Sequence, residues 1–295
     1  MTNISVIGIG RIGSELVARL TSAGHNVTGF DVNDGHRLVL EQLGARSAPD
    51  VRAAVSSSDV VFTAVTGTPE IVELATQGQL LALMAPGAIW VDLTSTAPAE
   101  SALCAQEADR HGIASLDAPI GGGPASVRAG QAMVFVGGDP ATVGRVEPIL
   151  KSFAATVHHI GTRGSGHLIK LLINLLWFGN AALVTEAMLV ATSAGVTSEN
   201  FSDVLAGSAG DSAFAQRHLP SLLRGDYLPD FGLDRVVEEL DAIDTTARSR
   251  QLPHPITTAI AELHRQALNH YGPVNGELLG AAWLEHLASR RLHDG

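Results

Sequence analysis

The stretch from Ser165 to Gly195 constrains the fold of this chain more than any other feature of its sequence. Nearly every residue in it is apolar or small and it contains no proline, which predicts one long helix buried on most sides. Lys170 and Asn174 stand at i and i+4, so we expect both side chains on one face, which Trp177 continues one turn further. A buried ammonium group is costly unless it is paired or used. The chain has only two lysines against seventeen arginines, so the position of Lys170 is informative.

The charge pattern indicates which partners to expect. Between Lys170 and Glu186 only fifteen residues lack a charge, whereas a membrane-spanning helix needs about 20. The net charge of -11 argues against nucleic-acid and anionic-membrane partners, since both require a basic patch. The single cysteine, Cys104, excludes an internal disulfide, and the N-terminus shows no secretion signal. We therefore predict a cytoplasmic protein that binds a small-molecule substrate, with no membrane and no nucleic acid.

Two kinds of organisation follow each other along the chain. Residues 1–162 alternate helical segments with continuous apolar runs, which are typical of strands covered on both faces in a parallel sheet. The predicted strands are 4–8, 27–32, 59–65, 88–93, 113–119, 132–138 and 156–161. From residue 164 onward only helices are predicted, over 165–195, 199–206, 212–224, 232–249, 255–270 and near 276–290. The sequence thus predicts an α/β domain (1–162) followed by an all-helical domain (163–295), with 165–195 as the connecting helix.

A glycine-rich turn follows the first predicted strand and opens the first predicted helix. It consists of Gly8, Ile9, Gly10, Arg11, Ile12 and Gly13. Glycines there allow a tight turn and the close approach of a pyrophosphate to the free N–H groups at the helix start. Asp31 ends the next predicted strand, where an acid accepts the ribose hydroxyls of NAD and repels the 2′-phosphate of NADP. We predict a dinucleotide site that favours NAD, while Arg11 and Arg37 leave NADP open.

Three further segments carry polar and glycine residues: 92–98, 117–138 and 164–174. The first two follow predicted strands, at the carboxyl edge of the sheet where open α/β folds bind ligands. Gly121, Gly122 and Gly123 stand in a row and expose backbone N–H groups suited to an anion. The twelve histidines show no metal-ligand spacing, so we predict no metal site.

Together these segments resemble the β-hydroxyacid dehydrogenases, the family of 3-hydroxyisobutyrate dehydrogenase and tartronate semialdehyde reductase. The resemblance covers essentially the full length, in matching order and spacing. It implies a Rossmann-type, doubly wound sheet followed by a helical domain, joined by a long inter-domain helix and assembled as homodimers or homotetramers. It also implies an NAD(P)-dependent oxidoreductase that interconverts a β-hydroxy acid, or a related alcohol, and its aldehyde or ketone by hydride transfer.

The resemblance assigns roles to individual residues. Lys170 matches the catalytic lysine, a general acid in reduction and general base in oxidation, and Asn174 matches the substrate-positioning asparagine. The other assignments are expectations of the same kind. Cofactor residues are Gly8, Ile9, Gly10, Arg11, Ile12, Gly13, Asp31, Val65, Thr66 and Ser95, and substrate residues are Thr94, Ser95, Gly121, Gly122, Gly123, Lys170, Asn174 and Trp177. For Trp177, core packing and an aromatic wall for an apolar substrate group both remain open.

The lysine role also follows from the chemistry. When a hydride leaves the C–OH carbon, the hydroxyl must lose its proton, and in the reverse direction the developing alkoxide must gain one. Burial of an amine favours its neutral form, which can accept a proton.

Two positions depart from the family pattern, and both concern substrate recognition. Gly121 stands where the family usually has a serine that helps bind the substrate carboxylate, so the substrate is expected to be bulkier there or to lack that carboxylate. Glu238 stands where the family commonly has a lysine. Arg235, three residues earlier, either compensates the charge or belongs to a solvated face.

Two other functions remain open. Imine reductases resemble this family in layout, but generally carry Asp or Tyr where this chain has Lys170. A dinucleotide-binding protein without catalysis is supported only by Gly121 and Glu238.

Overall fold

The computed structural model describes residues 1–77 and 80–293. It divides into two compact units, Met1–Lys170 and Leu171–Gly295. The long helix α9 (Ser165–Ser193) begins in the first unit and continues in the second. A helix lies over the range predicted for the connecting helix, and it ends two residues before the predicted limit.

Among the described residues, the first unit contains one nine-stranded sheet. Its strands are β1 (Asn3–Ile7), β2 (Asn26–Phe30), β3 (Arg46–Ser47), β4 (Val60–Thr63), β5 (Ile89–Asp92), β6 (Ala114–Asp117), β7 (Ile120–Gly121), β8 (Ala132–Gly137) and β9 (Ala154–Gly161). They lie in the order β3-β2-β1-β4-β5-β6-β8-β7, and β9 also pairs with β8. The pairings among β1 to β6 are parallel, as the apolar runs predict.

The sheet is not parallel throughout, although continuous apolar runs are typical of parallel strands. Strand β8 runs antiparallel to both β6 and β7, and parallel to β9. Only residues 122–131 connect β7 to β8, and so short a connection suits an antiparallel return rather than a parallel crossover. The two-residue strands β3 and β7 were not predicted, since they are too short to form an apolar run.

Helices cover both faces of this sheet. They are α1 (Arg11–Ser22), α2 (Asp34–Arg37), α3 (Val51–Val55), α4 (Thr68–Val72), α5 (Leu80–Leu83), α6 (Pro98–Arg110), α7 (Gly123–Arg128) and α8 (Pro140–Leu150), with a π-helical turn at Glu73–Gln77. Neighbouring strand residues belong to different cores: Val6 and Phe62 to one buried cluster, Ile7 and Val61 to another. Because successive side chains of a strand point to opposite faces, the two clusters lie on the two sides of the sheet.

Over residues 171–293, the second unit contains helices and one isolated bridge between Gly232 and Asn275. Besides most of α9 it contains α10 (Ser198–Leu205), α11 (Ala213–Arg217), α12 (Leu219–Leu222), α13 (Leu233–Ser249), α14 (Pro255–Tyr271) and α15 (Leu279–Leu287). The single helix predicted over 212–224 is wrong, because Pro220 lies in the first turn of a separate helix. The last two residues of the predicted helical domain lie outside the described part of the chain.

The prediction that α9 is buried on most sides is also wrong. Leu176, Leu183 and Val190 are 65%, 60% and 68% exposed, and Ile173 is 41% exposed. Leu176, Leu183 and Val190 recur every seven residues and therefore form one apolar stripe along the helix. By length and composition α9 is long and apolar enough to cross a membrane, a criterion that core helices of soluble proteins also meet.

Candidate active site

The glycine turn between β1 and α1 has the shape of a dinucleotide cradle. Gly8 has a φ of +94°, and a side chain there would collide with the carbonyl of Ala64. A side chain at Gly13 would collide with the carbonyl of Gly8, so α1 packs directly on the turn. A Cβ at Gly10 would meet nothing within 4 Å, which leaves open space above the start of α1. These three glycines therefore fit a pyrophosphate held at the N-terminus of a 12-residue helix.

Asp31 lies directly after β2 and is tied to the glycine turn. Its Oδ2 accepts the backbone N–H of Ile9 at 2.7 Å, and its Oδ1 accepts that of Asn33 at 2.8 Å. The ring Nδ1 of His36 lies 3.2 Å from Oδ2. The structure thus brings together the two cofactor elements that the sequence predicts, the turn and the acid.

A hydrogen bond from a backbone N–H to a threonine hydroxyl joins the loops after β4 and β5. The N–H of Val65 donates to Oγ1 of Thr94 at 3.3 Å. Thr94 is only 3% exposed, so its side chain joins the two loops, whereas Ser95 is half-buried and Thr66 is exposed. The substrate role of Thr94 remains a prediction.

Two of the three consecutive glycines after β6 adopt a conformation that other residues rarely reach. Gly122 and Gly123 have φ values of +97° and +67°, in the left-handed region. Gly121 is different, because its φ lies outside that region and a Cβ there would approach Cε2 of Phe135 to 3.2 Å. The edge of Phe135 therefore borders the place where the family serine would stand.

The first turn of α9 is anchored to the sheet by Asp117, the last residue of β6. Its Oδ1 accepts the N–H of Gly164 at 2.7 Å and its Oδ2 accepts the N–H of His167 at 2.9 Å. Asp117 is 5% exposed and satisfies N–H groups that a helix start leaves without partners in the helix. Lys170, half-buried, follows one turn later.

A second buried acid, Asp92, organises the loop after β5. It accepts hydrogen bonds from Oγ1 of Thr63 at 2.8 Å, the N–H of Thr94 at 3.0 Å and Oγ1 of Thr96 at 3.2 Å. Burial raises the pKa of Asp92, while the neighbouring His167 ring and the hydrogen bonds act in the opposite direction. His167 is 2% exposed, with Nε2 3.5 Å from Oδ2 of Asp92.

In the second unit, the side chains of Asn174 and Glu239 form a hydrogen-bonded pair. Nδ2 of Asn174 donates to Oε2 of Glu239 at 2.5 Å, and Glu239 is 6% exposed. Nη1 of Arg235 donates to Oε2 of Glu238 at 2.7 Å, which is the ion pair of the first of the two alternatives for Arg235.

Trp177 packs inside the second unit. Its ring meets Phe214 edge-on at a centroid distance of 5.3 Å, and it meets His218 at 4.6 Å. These contacts fit the core-packing interpretation, and its predicted contact with substrate remains untested.

Sequence reasoning did not single out Asp92, Asp117 or Glu239. A signal was present for the first two, since each is an acid at the end of a predicted strand beside a predicted site segment. For Glu239 the only signal was an acid on an otherwise apolar helical face.

Two family models match consecutive parts of the chain. Residues 3–161 match the NAD-binding domain of 6-phosphogluconate dehydrogenase. Residues 164–278 match the NAD-binding domain of NADP-dependent 3-hydroxyisobutyrate dehydrogenase. The chain belongs to the β-hydroxyacid dehydrogenase family. This membership makes it an NAD(P)-dependent dehydrogenase or reductase that acts on a CH–OH group, and it confirms the resemblance and the predicted fold.

Individual proteins of the family are similar over most of their length. The chain is 26% identical over 263 residues to the 2-(hydroxymethyl)glutarate dehydrogenase of Eubacterium barkeri, covering 88% of this chain and 87% of that protein. A solved 3-hydroxyisobutyrate dehydrogenase of Mycobacterium tuberculosis, with L-serine, has a TM-score of 0.88 at 24% identity and covers 97% of this chain and 99% of its own. An imine reductase of Myxococcus stipitatus with NAD+ has a TM-score of 0.66 at 21% identity, covering 96% and 99%. Both structural similarities concern the fold alone.

Proposed function

We propose that this enzyme interconverts a β-hydroxy acid, or a related alcohol, and its aldehyde or ketone, with Lys170 as general acid and base. The observation that carries the proposal is the anchoring of α9, in which Asp117 accepts the N–H groups of Gly164 and His167. This anchoring ties the turn before Lys170 to the carboxyl end of β6. The glycine turn and the Thr94 loop follow parallel strands of the same sheet, so they end at the same edge. The names of family relatives, which are dehydrogenases of hydroxy acids, support the substrate class.

In this proposal each side chain has one task. The nicotinamide accepts or supplies the hydride when it is bound. Lys170 takes the proton from the substrate hydroxyl in oxidation and returns it in reduction. Asn174 and Ser95 orient the reacting oxygen, and the backbone N–H groups of Gly122 and Gly123 face the acid group of the substrate.

The test compares the two lysines of the chain. Lys170→Met removes the proposed acid and base, and we expect kcat to fall by about 10²- to 10⁴-fold. The control is Lys151→Met, because Lys151 is 61% exposed and paired only locally with Glu147 in α8. Turnover is followed by NADH absorbance on a panel of hydroxy acids. Full activity of Lys170→Met on the best substrate would contradict the assignment.

The preference for NAD rests on Asp31. Its carboxylate is only 11% exposed and accepts the backbone N–H groups of Ile9 and Asn33. These hydrogen bonds hold the negative charge at the end of β2. A 2′-phosphate placed there would meet a like charge. We expect Asp31→Asn to reduce the ratio of kcat/KM for NAD+ over NADP+ by about tenfold or more.

Asp34→Asn is the matched control for this preference. Asp34 begins α2, three residues after Asp31, is 84% exposed and pairs with Arg37. If Asp34→Asn changed the coenzyme ratio as much as Asp31→Asn, the preference would come from general loop charge rather than from Asp31.

The position of Gly121 bears on the substrate. A Cβ at this position would lie 3.2 Å from Cε2 of Phe135. Where the family has a serine hydroxyl, this chain therefore has the edge of an aromatic ring. We propose a substrate that carries a bulkier or less polar group there than 3-hydroxyisobutyrate does. Gly121→Ser is expected to lower kcat/KM for the best substrate and to raise it for 3-hydroxyisobutyrate.

Imine reduction is the second candidate, because an imine reductase shares the fold. Lys170 argues against it, since that group of enzymes generally carries Asp or Tyr at this position. Turnover of cyclic imines with no turnover of hydroxy acids would favour it over the first proposal. Tight NADH binding with turnover of neither class would instead indicate a dinucleotide-binding protein without catalysis.

The assembly is proposed from α9. The stripe of Leu176, Leu183 and Val190 is apolar and exposed, and a second copy of the helix would cover it in a homodimer or homotetramer. Leu183→Glu is expected to shift the mass measured by light scattering toward the monomer, while Glu186→Gln leaves it unchanged.

We also propose a cytoplasmic location, consistent with the one cysteine, and a domain division at 162/163, which the limits of the two family models support.

A further inference from the structure

His167 occupies an unusual position between two buried polar groups. The ring is 2% exposed, and its Nδ1 lies 2.8 Å from Oγ of Ser101, in the first turn of α6. Its Nε2 is also buried, yet no residue in the described ranges forms a hydrogen bond with it. The nearest carboxylate oxygen is Oδ2 of Asp92, at 3.5 Å, an ion-pair distance rather than a hydrogen bond. A buried nitrogen left in this state is costly, so it needs an explanation.

The ring connects two parts of the proposed site. Asp92 fixes the loop after β5 through its hydrogen bonds with Thr94 and Thr96. His167 stands in the first turn of α9, three residues before Lys170, so its side chain and that of Lys170 share one helical face. The imidazole therefore lies between the acid that fixes the Thr94 loop and the turn that precedes the lysine.

The charges around the ring favour a link between His167 and Asp92. Asp92, at the end of β5, lies 3.5 Å from Nε2, and Asp117, at the end of β6, accepts the backbone N–H of His167. Glu100 and Cys104 lie on α6, the helix that carries Ser101. The cationic side chains nearby are Arg163, which pairs with Asp109, and Lys170 on the same helix. The carboxylates nearest the ring thus attract a protonated imidazole, and in a buried site that attraction is stronger than in water.

We propose that His167 is a positioning residue: protonated, it closes on Asp92 and holds the Thr94–Ser95 loop against the turn of Lys170. The proposal rests on the proposed function of Lys170. It assigns no chemical step to His167, which does not touch the reacting atoms.

Two amide substitutions at His167 distinguish the contributions of the two ring nitrogens. Glutamine places an N–H near the position of Nε2, so His167→Gln can still donate to Asp92 but cannot titrate. Asparagine places its amide near Nδ1, so His167→Asn keeps the Ser101 contact and loses the link to Asp92. We expect kcat of His167→Asn to fall by about tenfold and that of His167→Gln by less than about threefold, with the KM for NAD+ unchanged in both.

The pH profile gives the second measurement. The plot of log kcat against pH should contain one ionisation in the wild type that is missing in His167→Gln, because an imidazole can change charge and a glutamine amide cannot. NADH binding by fluorescence and the melting temperature show that each variant is folded. If His167→Asn does not fold, the profile of His167→Gln alone decides.

The inference is wrong if both variants keep the wild-type kcat, or if the profile of His167→Gln matches that of the wild type. It is also wrong if the two variants lose activity only in proportion to their loss of stability. All comparisons use one substrate that the wild type turns over. The proposed function fails if no such substrate is found or if Lys170→Met is fully active. Either outcome differs from a failure of the His167 link, which shows only in the two His167 variants.

Discussion

The side-chain amide of Asn174 donates a 2.5 Å hydrogen bond to the buried carboxylate of Glu239. Carboxylate oxygens accept hydrogen bonds, so the amide nitrogen must face Glu239, and this fixes which end of the amide faces elsewhere. An asparagine whose two ends are distinguished in this way can present its oxygen to a substrate in one orientation. Glu239 thereby determines the orientation of the Asn174 amide.

The first prediction concerns this pair. Glu239→Gln keeps the size of the side chain, but the glutamine amide offers Asn174 both a carbonyl oxygen and an N–H group. Either end of the Asn174 amide can then face residue 239, so the fixed orientation of that amide is lost. We expect kcat/KM for the hydroxy acid to fall by about tenfold, which corresponds to roughly one hydrogen bond to a charged group. The KM for NAD+ should not change. Steady-state kinetics with each substrate varied in turn provides the measurement.

Glu285→Gln is the matched control, since Glu285 is another buried acid of the same unit. It is 2% exposed and accepts hydrogen bonds from Tyr227 at 2.6 Å and the N–H of Leu292 at 2.7 Å. This variant should lose stability while kcat/KM stays close to the wild-type value. Equal kinetic losses in the two variants would mean that Glu239 acts only through the stability of the unit.

The second prediction concerns Asp117. Its two oxygens accept two different N–H groups, of Gly164 and His167, and an asparagine has only one acceptor oxygen to offer. Asp117→Asn should therefore leave one buried N–H facing an amide N–H, and we expect a loss of about 1–3 kcal/mol in the free energy of unfolding. The control Asp109→Asn removes an exposed partner of Arg163 and should cost less than about 1 kcal/mol. Similar losses, measured by denaturant titration, would show that Asp117 does not anchor α9.

Much of the first unit could be predicted because its signals are local. A parallel strand buried on both faces is a continuous apolar run, and the glycine turn with Asp31 stands within one strand, helix and strand of sequence. The antiparallel return at β8 and the two-residue strands have no such signal. Their existence depends on a short connection and on neighbouring strands.

The parts of the site that could not be predicted depend on distant pairs. Asn174 and Glu239 are 65 residues apart, and Asp117 and Gly164 are 47 apart, so neither pair leaves a spacing pattern. The exposed side of α9 was missed for another reason. When a helix is apolar all round, its periodicity does not show which face meets solvent, and only the packing of the surrounding helices decides.

The third prediction concerns Cys104, which is 3% exposed in α6. Burial, with nearby Asp92 and Glu100 adding to it, raises the pKa of the thiol to about 12. The reactive species is the thiolate, so the native protein should react with an aromatic disulfide reagent at about pH 8 at less than roughly 1% of the rate of the unfolded protein. One thiol per chain should appear on denaturation. Fast reaction in the native state, at unchanged melting temperature, would contradict the buried position.

The last prediction concerns Asp244, a buried acid of α13 that joins it to α14. It accepts hydrogen bonds from Oγ1 of Thr258 at 2.7 Å and from Nη2 of Arg248 at 2.8 Å, and His254 lies 3.4 Å away. The Thr258 hydrogen bond, followed by the hydrogen bond and charge of Arg248, lowers the pKa of Asp244 in the folded protein despite the opposing effect of burial. In the unfolded chain an Asp has a pKa of about 3.9, so the Asp244 carboxyl binds its proton more tightly there than in the folded protein.

The sign of the pH dependence follows. The stabilisation by Asp244 is fully present above the pKa of the unfolded chain and is lost as the pH falls through the lower pKa of the folded protein. Asp244→Asn should cost about 2–3 kcal/mol near pH 7, and the difference from the wild type should shrink below about pH 4. Asp241→Asn, which removes a 42% exposed partner of Arg265, serves as the control and should cost less than about 1 kcal/mol at any pH. A difference between wild type and Asp244→Asn that stays constant from neutral to acid pH would show that the carboxylate charge is not the stabilising element.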